Sequence, residues 1–343
     1  MIIGQGLAGS CLALHLLNLQ KKIVVVDQPR ANRASIIAAG LFNPITGKVM
    51  GKTWRAEHLF NYLHTFYSEA EAELTSKFYF PVPLYRPFSS VEEQNEWMVK
   101  SADTSLGNFI ETVFTVPAFT EDAVNPFGGV LLKNCGYVNT AAFINAVRQR
   151  LIDLNSYAEL EFDEDALSLE DDIVTYKSWT ASKVIYCNGL AAKQSKFFKE
   201  VPLRALKGET LTITLQSSLP RVYNRGVYIV PSSEQNQYKV GATYHAQDFT
   251  EATSAKAKQE LTEKLNELLR RPYQLLSQDW GMRPTITDRR PVLGASRHNQ
   301  KMILFNGLGT KGVSLAPFFS RQLAFWLEGM GAIEPAVAIE RFY

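Results

Sequence analysis

The tightest constraint on this chain lies in its first nine residues. Met1-Ile2-Ile3 is apolar, Gly4-Gln5-Gly6-Leu7-Ala8-Gly9 follows at once, and an apolar run extends from Leu12 to Leu19. In a G-x-G-x-x-G turn each glycine has a task. The first permits the tight turn, the second lets backbone approach a pyrophosphate, and the third packs helix against strand. A helix starting there offers free N–H groups and the positive end of its dipole to phosphate. Ile23-Val24-Val25-Val26 then reads as a strand buried on both faces of a parallel sheet, ending in Asp27. Asp27 lies 18 positions after Gly9, near the spacing of about 20 expected for a carboxylate that accepts ribose hydroxyls. The bare spacing is unspecific; the strand before it, the helix after it and the acid give it weight. The competing reading is an Asp that ends a strand and caps a turn. Met1 to Ile3 is only the tail of a strand, which leaves open an unusually short first strand or residues missing upstream.

At 343 residues the chain is long for one core and suits two packed domains. Its 46% hydrophobic and 20% charged content is that of a globular protein. With 36 basic against 34 acidic side chains and a formal net charge of +2, no general affinity for nucleic acid or membranes is expected. Cys11, Cys135 and Cys187 are too few and too scattered for a disulfide framework or a CxxC site. They suit buried thiols in a cytoplasmic protein. His15, His58, His64, His245 and His298 form no metal spacing, so no metal is expected. No stretch nears the roughly 18 apolar residues of a spanning helix. The Leu12–Leu19 run lacks the basic segment that precedes a secretion signal.

Along the chain, residues 33 to 51 read as a loop rich in small residues, and the pattern turns helical from Glu57 to Glu73. Pro81, Pro83 and Pro87 mark a change of territory, with alternating stretches such as Phe109 to Val116. Asn139-Thr140 is placed to cap a helix over 141–151. A hairpin turn is expected at Glu170-Asp171-Asp172, then an apolar strand over 184–187. Residues 209–214, 226–231 and 237–243 alternate like antiparallel strands. A helix carrying Leu261, Leu265, Leu268 and Leu269 precedes Pro272. Strand 302–305, a glycine turn and a helix over 314–327 close the chain. Parallel strands in discontinuous pieces, with antiparallel strands between them, imply interleaved domains.

That last turn, Gly307-Leu308-Gly309-Thr310-Lys311-Gly312, is a second place where backbone N–H groups could meet an anion. Taken with the other segments, it carries a family resemblance. The chain resembles the D-amino-acid oxidase and glycine oxidase family of FAD-dependent amine oxidoreductases over nearly its whole length. The segments, in family order, are the fingerprint with Asp27, then Ala39-Gly40-Leu41, then Gly136-Tyr137-Val138-Asn139. Val184 to Gly189, Gly281-Met282-Arg283-Pro284 with Asp288 and Pro291, and Gly307 to Gly312 with Leu315-Ala316-Pro317 follow. Each is unspecific alone; their order and spacing together are hard to reach by chance.

The resemblance implies an α/β fold, a Rossmann-like FAD-binding domain of glutathione-reductase type interleaved with a mixed, largely antiparallel substrate domain. Residues 1–80, 137–205 and 275–343 are assigned to the first and 81–136 with 206–274 to the second. It implies cofactor contacts from Gly4, Gly6, Leu7, Ala8, Gly9, Asp27, Gln28, Ala39, Gly40, Leu41, Asn188 and Gly189, and from Gly307, Leu308, Gly309, Thr310, Lys311 and Gly312. Arg283 matches the family's carboxylate-binding arginine, with a structural ion pair to Asp288 as the alternative. Tyr228 matches a tyrosine of the substrate pocket or packs as a strand aromatic, and Tyr244 is a weaker candidate. Lys311 sits beside the flavin or on the surface. Arg55, Lys48, Thr46 and Met50 are weaker candidates to line the flavin face. Asp27 stands where many members carry Glu, and no cysteine lies where the sarcosine-oxidase branch attaches flavin, so FAD is expected to be noncovalent.

The function implied is oxidation of an amino acid or secondary amine by hydride transfer from the alpha carbon to flavin N5, giving an imine that hydrolyses. Gly40-Leu41-Phe42-Asn43-Pro44 and Gly307 to Gly312 also resemble the FAD domain of the bifunctional enzyme that trims carboxymethylaminomethyl-uridine in tRNA. The modest charge weighs against an RNA substrate. A non-catalytic or NAD-binding protein that keeps only the dinucleotide fold is the third reading.

Overall fold

The computed structural model describes residues 1–30, 32–46, 51–170 and 173–343. Lys48, Met50 and the turn residues Asp171 and Asp172 lie outside the described residues. The first sheet has six strands. Five run parallel in the order Tyr157–Glu159, Val25–Asp27, Ile2–Ile3, Val184–Tyr186 and Asn299–Asn306, and Val292–Ser296 closes one edge antiparallel. Period-two alternation sorts their side chains. Ile2, Val25, Ile185 and Ile303 join one core with helices Leu7–Asn18, Ala56–Leu74, Thr140–Asp153 and Gly312–Leu327. Ile3, Val26, Tyr186 and Leu304 join a second core that includes Val174 and Tyr176 of a small three-stranded sheet. Asn139 caps its helix as expected, its side chain accepting from Ala142 N at 3.1 Å.

The second sheet has eight strands in the order Tyr273–Thr285, Arg204–Leu215, Gln237–Gly241, Val227–Pro231, Val222–Arg225, Leu84–Pro87, Gly129–Leu132 and Ile110–Phe114. All neighbours pair antiparallel except Val222–Arg225 with Leu84–Pro87. Leu211, Ile213, Ile229 and Val240 pack against Leu261, Leu265 and Leu268 of helix Ala255–Leu268. The opposite face looks toward the parallel sheet's domain: a Cβ built on Gly281 would lie 3.4 Å from Ile37, and Lys239 Nζ donates to Ile37 O at 3.4 Å.

Two expectations need correction, and one helix carries no signal in the sequence. The expected boundary between residues 274 and 275 cuts strand Tyr273–Thr285, which pairs along its length with Arg204–Leu215; Arg283 therefore belongs to the eight-stranded sheet. The segment read as a loop over 33–51 contains helix Ala34–Ile37 and strand Leu41–Phe42, which pairs with Gly136–Val138. Gly40 makes this possible: its φ is +70°, and a Cβ there would stand 1.8 Å from Val138 O. Helix Val91–Ser101 was not foreseen, because Trp97 is its one buried side chain and no apolar stripe marks it.

Helices Leu7–Asn18 and Gly312–Leu327 meet around His15. Its Nδ1 lies 2.8 Å from Cys11 O and 3.0 Å from Ser320 Oγ, and its Nε2 lies 2.7 Å from the Tyr62 hydroxyl. Burial pulls its pKa from 6.5 down to about 4. As pH falls the unfolded chain takes the proton first, so this contribution is intact above pH 6.5 and lost on the way to about 4. Urea denaturation across that window should show wild type losing up to about 3 kcal/mol more than His15→Gln. Parallel curves for the two proteins would contradict a buried neutral imidazole.

Candidate cofactor and substrate site

The fingerprint turn abuts the end of strand Val184–Tyr186. Gly4 has φ +93°, and a Cβ there would come 2.7 Å from Asn188 Cα; one on Gly9 would come 2.0 Å from Gly4 O. Bulkier residues at either position would force strand and helix apart, as the sequence spacing implied. Gly6 gives helix Leu7–Asn18 no side-chain cap and its first turn has no acidic residue, while Leu7 N donates to Ser35 Oγ at 3.2 Å. Helix Gly312–Leu327 likewise has no side-chain cap from its N-cap residue and no acidic residue in its first turn. The two tips touch, since a Cβ on Gly312 would lie 3.1 Å from Leu7 Cδ1. Glycine-led turns from opposite ends of the polypeptide therefore converge.

Asn306, which sequence reasoning missed, ties the neighbouring strand ends together. Its Nδ2 donates to Gly189 O at 2.8 Å and its Oδ1 accepts from Gly307 N at 2.8 Å. Gly309 N donates to Pro284 O at 2.9 Å, which fastens the second glycine turn to the strand bearing Arg283. Leu41 pairs with Tyr137, and Val138 N donates to Gly40 O at 3.0 Å. Gln28 and Thr310 are exposed beside the first and second turns.

Asp27 is buried. Its Oδ1 accepts from Gln5 N at 2.9 Å and its Oδ2 from Arg33 at 3.0 Å, with Arg148 Nη2 at 4.0 Å. Neither arginine was singled out in the sequence, because both reach Asp27 only through folding. Arg33 Nε, Arg148 Nη2, Tyr157 Oη and Asn188 Oδ1 are buried without a hydrogen-bond partner among the described residues. Buried polar atoms are almost always satisfied. Donors beside a ribose-spaced acid, together with two adjacent helix N-termini on glycine turns, are a donor set that fits a dinucleotide such as FAD.

Lys311 Nζ reaches Thr46 Oγ1 at 2.9 Å and Thr53 Oγ1 at 3.2 Å, and burial lowers its pKa. The structure thus brings Lys311 and Thr46 together at the second tip and adds the buried Thr53, which the sequence did not single out. Arg55 is turned away, with Nη1 paired to Glu334 Oε1 at 2.8 Å.

Arg283 rests on a floor of glycines. Gly208 pairs with Gly281, and Gly241 pairs with both Thr210 and Tyr228. A Cβ on Gly208 would lie 2.0 Å from Arg283 Nη1, and one on Gly241 would lie 2.8 Å from the Tyr228 hydroxyl. Arg283 Nη1 donates to Thr243 O at 3.2 Å, and its Cζ lies 5.0 Å from the Tyr244 ring centroid. Asp288 instead pairs with Arg341 at 2.9 Å. Among the described residues no carboxylate forms an ion pair with Arg283. Burial holds the Tyr228 phenol above its ordinary pKa, partly offset by Arg283, so it stays protonated near neutrality.

Asp27→Ala should weaken FAD binding by about 10- to 100-fold, the value of a hydrogen bond to a charged group. Fluorescence titration of apoprotein with FAD reads this directly, and an unchanged dissociation constant would remove Asp27 from the site.

A family model described as DAO, FAD dependent oxidoreductase, matches residues 1–326. The chain is 24% identical over 353 aligned positions to the tRNA 5-methylaminomethyl-2-thiouridine biosynthesis bifunctional protein MnmC of Idiomarina loihiensis, covering 96% of this chain and 55% of that protein. It is 25% identical to the bifunctional protein ThiO/ThiG of a Nostoc species, covering 94% and 52%. The chain thus spans about half the length of the curated relatives it matches. Among solved structures, glycine oxidase from Bacillus cereus superposes with a TM-score of 0.80 at 19% identity, covering 96% of this chain and 95% of that one. Iminodiacetate oxidase from a Chelativorans species gives 0.80 at 18%, covering 99% and 97%. The family match over residues 1–326, on a fold those oxidases share, places this chain in the DAO family of FAD-dependent oxidoreductases.

Proposed function

We propose that the protein oxidises an amino acid or a carboxylate-bearing secondary amine, with FAD held noncovalently between the two helix tips. One observation carries the substrate class: Arg283 is a partly buried guanidinium with no carboxylate partner among the described residues, seated on glycine and flanked by Tyr228. When bound, FAD supplies the two-electron acceptor that takes hydride at N5 from the carbon next to the amine nitrogen, leaving an imine for water to hydrolyse.

The chain's own residues do the positioning. The Arg283 fork holds a carboxylate through two parallel N–H donors and so fixes the neighbouring carbon in place. The protonated Tyr228 hydroxyl is available to donate to the same carboxylate. Lys311 and the dipole of helix Gly312–Leu327 set positive potential at the second tip, where negative charge develops on reduction. A substrate arriving as the neutral amine needs no general base. The names of the two solved oxidases support this reading, since glycine and iminodiacetate are both amines that carry carboxylates. Cys11, Cys135 and Cys187 are all buried and unpaired, which suits noncovalent FAD and a reducing cytoplasmic compartment.

A second reading follows from the tRNA-modifying relative. Tyr244 is 61% exposed beside Arg283, so a bulkier amine has room at this edge. The near balance of charge weighs against it, because phosphate contacts need clustered lysine and arginine. A salt-dependent complex with tRNA would favour the larger substrate, and turnover of free glycine or sarcosine the smaller.

Anaerobic mixing of the yellow holoprotein with a panel of amines should bleach the flavin absorbance with at least one amino acid. Arg283→Ala should raise KM by about 100-fold, with Arg283→Lys between it and wild type. Unchanged kinetics in both variants would take Arg283 out of the substrate site. Acid precipitation should release all of the flavin into the supernatant; yellow colour retained in the pellet would indicate a covalent bond.

A further inference from the structure

The alternation of strand Arg204–Leu215 places Gly208 on the face that supports Arg283 and turns Lys207 and Glu209 to the opposite face. Both charged side chains are fully buried, at 0% exposure, with Lys207 Nζ 3.7 Å from Glu209 Oε1. A charged pair in such a place needs further partners to offset its desolvation. Nearly all of those partners come from one stretch of chain, residues 243–254. Lys207 Nζ donates to Asp248 Oδ2 at 2.9 Å and to Thr250 Oγ1 at 2.7 Å. The Glu209 carboxylate accepts from Ser254 N and Ser254 Oγ, both at 2.9 Å, and from Gln278 Nε2 at 2.7 Å. The backbone of the same two residues completes the attachment, with Thr243 N donating to Glu209 O and His245 N donating to Lys207 O.

The fastened stretch is also the one that holds Arg283. Thr243 O accepts from its guanidinium and the Tyr244 ring flanks it. We infer that Lys207 and Asp248 are positioning residues for the substrate carboxylate: their ion pair, behind the sheet, fixes the 243–254 segment and through it the aim of Arg283. This rests on the reading of Arg283 as the carboxylate anchor. Asp248 is the informative member. It is 29% exposed, and its removal leaves Lys207 with Glu209 as a buried counter-charge at 3.7 Å. Removing Lys207 instead would strand a buried Glu209.

The test titrates holoprotein with acetate, a carboxylate that cannot be oxidised, and follows the visible flavin spectrum. Steady-state kinetics with the best amino-acid substrate run in parallel. Asp248→Ala should weaken the acetate titration and raise KM by about tenfold or more, as misplacement of a clamp does. Its kcat at saturation and its FAD affinity should stay within about twofold of wild type. Asp248→Asn, which keeps a hydrogen bond to Lys207, should fall between; it is read by the same titration if the alanine variant gives no holoprotein. A merely structural loss would lower thermal stability without this split between KM and kcat. Wild type that titrates beside an unchanged Asp248→Ala overturns the inference alone. Wild type whose flavin never responds to a carboxylate overturns the reading of Arg283 beneath it.

Discussion

Two helix N-termini meet at the contact between Leu7 and Gly312, and the rest of the molecule is arranged around that meeting. Each tip carries roughly half a positive charge. Neither N-cap residue supplies a side-chain cap and neither helix has an acidic residue in its first turn; Ser35 Oγ alone reaches the first tip, accepting from Leu7 N at 3.2 Å. A cap at each would have contributed about 1 kcal/mol to stability. Two such tips side by side repel one another in the bare protein, and under the proposed reading an anionic dinucleotide across them would relieve that repulsion. The packing around His15 and Ser320 holds the helices in this arrangement along their length.

The two sheets divide the labour. In the parallel sheet, Gly4, Asp27, Asn188 and Gly307 all lie at the carboxyl ends of strands, the side on which open α/β sheets bind ligands. The antiparallel sheet contributes a surface, with Gly208 leaving room for Arg283 and Gly241 for Tyr228. The hydrogen bond from Gly309 N to Pro284 O joins the two parts, so the second helix tip and Arg283 are held in one geometry.

What could be read from the residues was what depends on local chemistry. The glycine spacing, the doubly buried strand before Asp27, the alternating strands of the second sheet and the Asn139 cap all announce themselves within a few positions. Long-range pairing does not. Arg33 and Arg148 at Asp27, Asn306 between two strand ends, Thr53 at Lys311 and the Lys207–Asp248 pair become visible only when distant segments meet. The misplaced domain boundary has the same origin. Strand Tyr273–Thr285 follows Pro272, and only its partner Arg204–Leu215 shows to which sheet it belongs.

The most direct measurement is a crystal structure of the protein saturated with FAD. One FAD per chain should span both tips, its pyrophosphate at the amides that open helix Leu7–Asn18 and its isoalloxazine ring at the Gly309–Gly312 turn, with Arg283 beyond the ring. A cofactor that engages one tip and leaves the other to solvent would contradict the account.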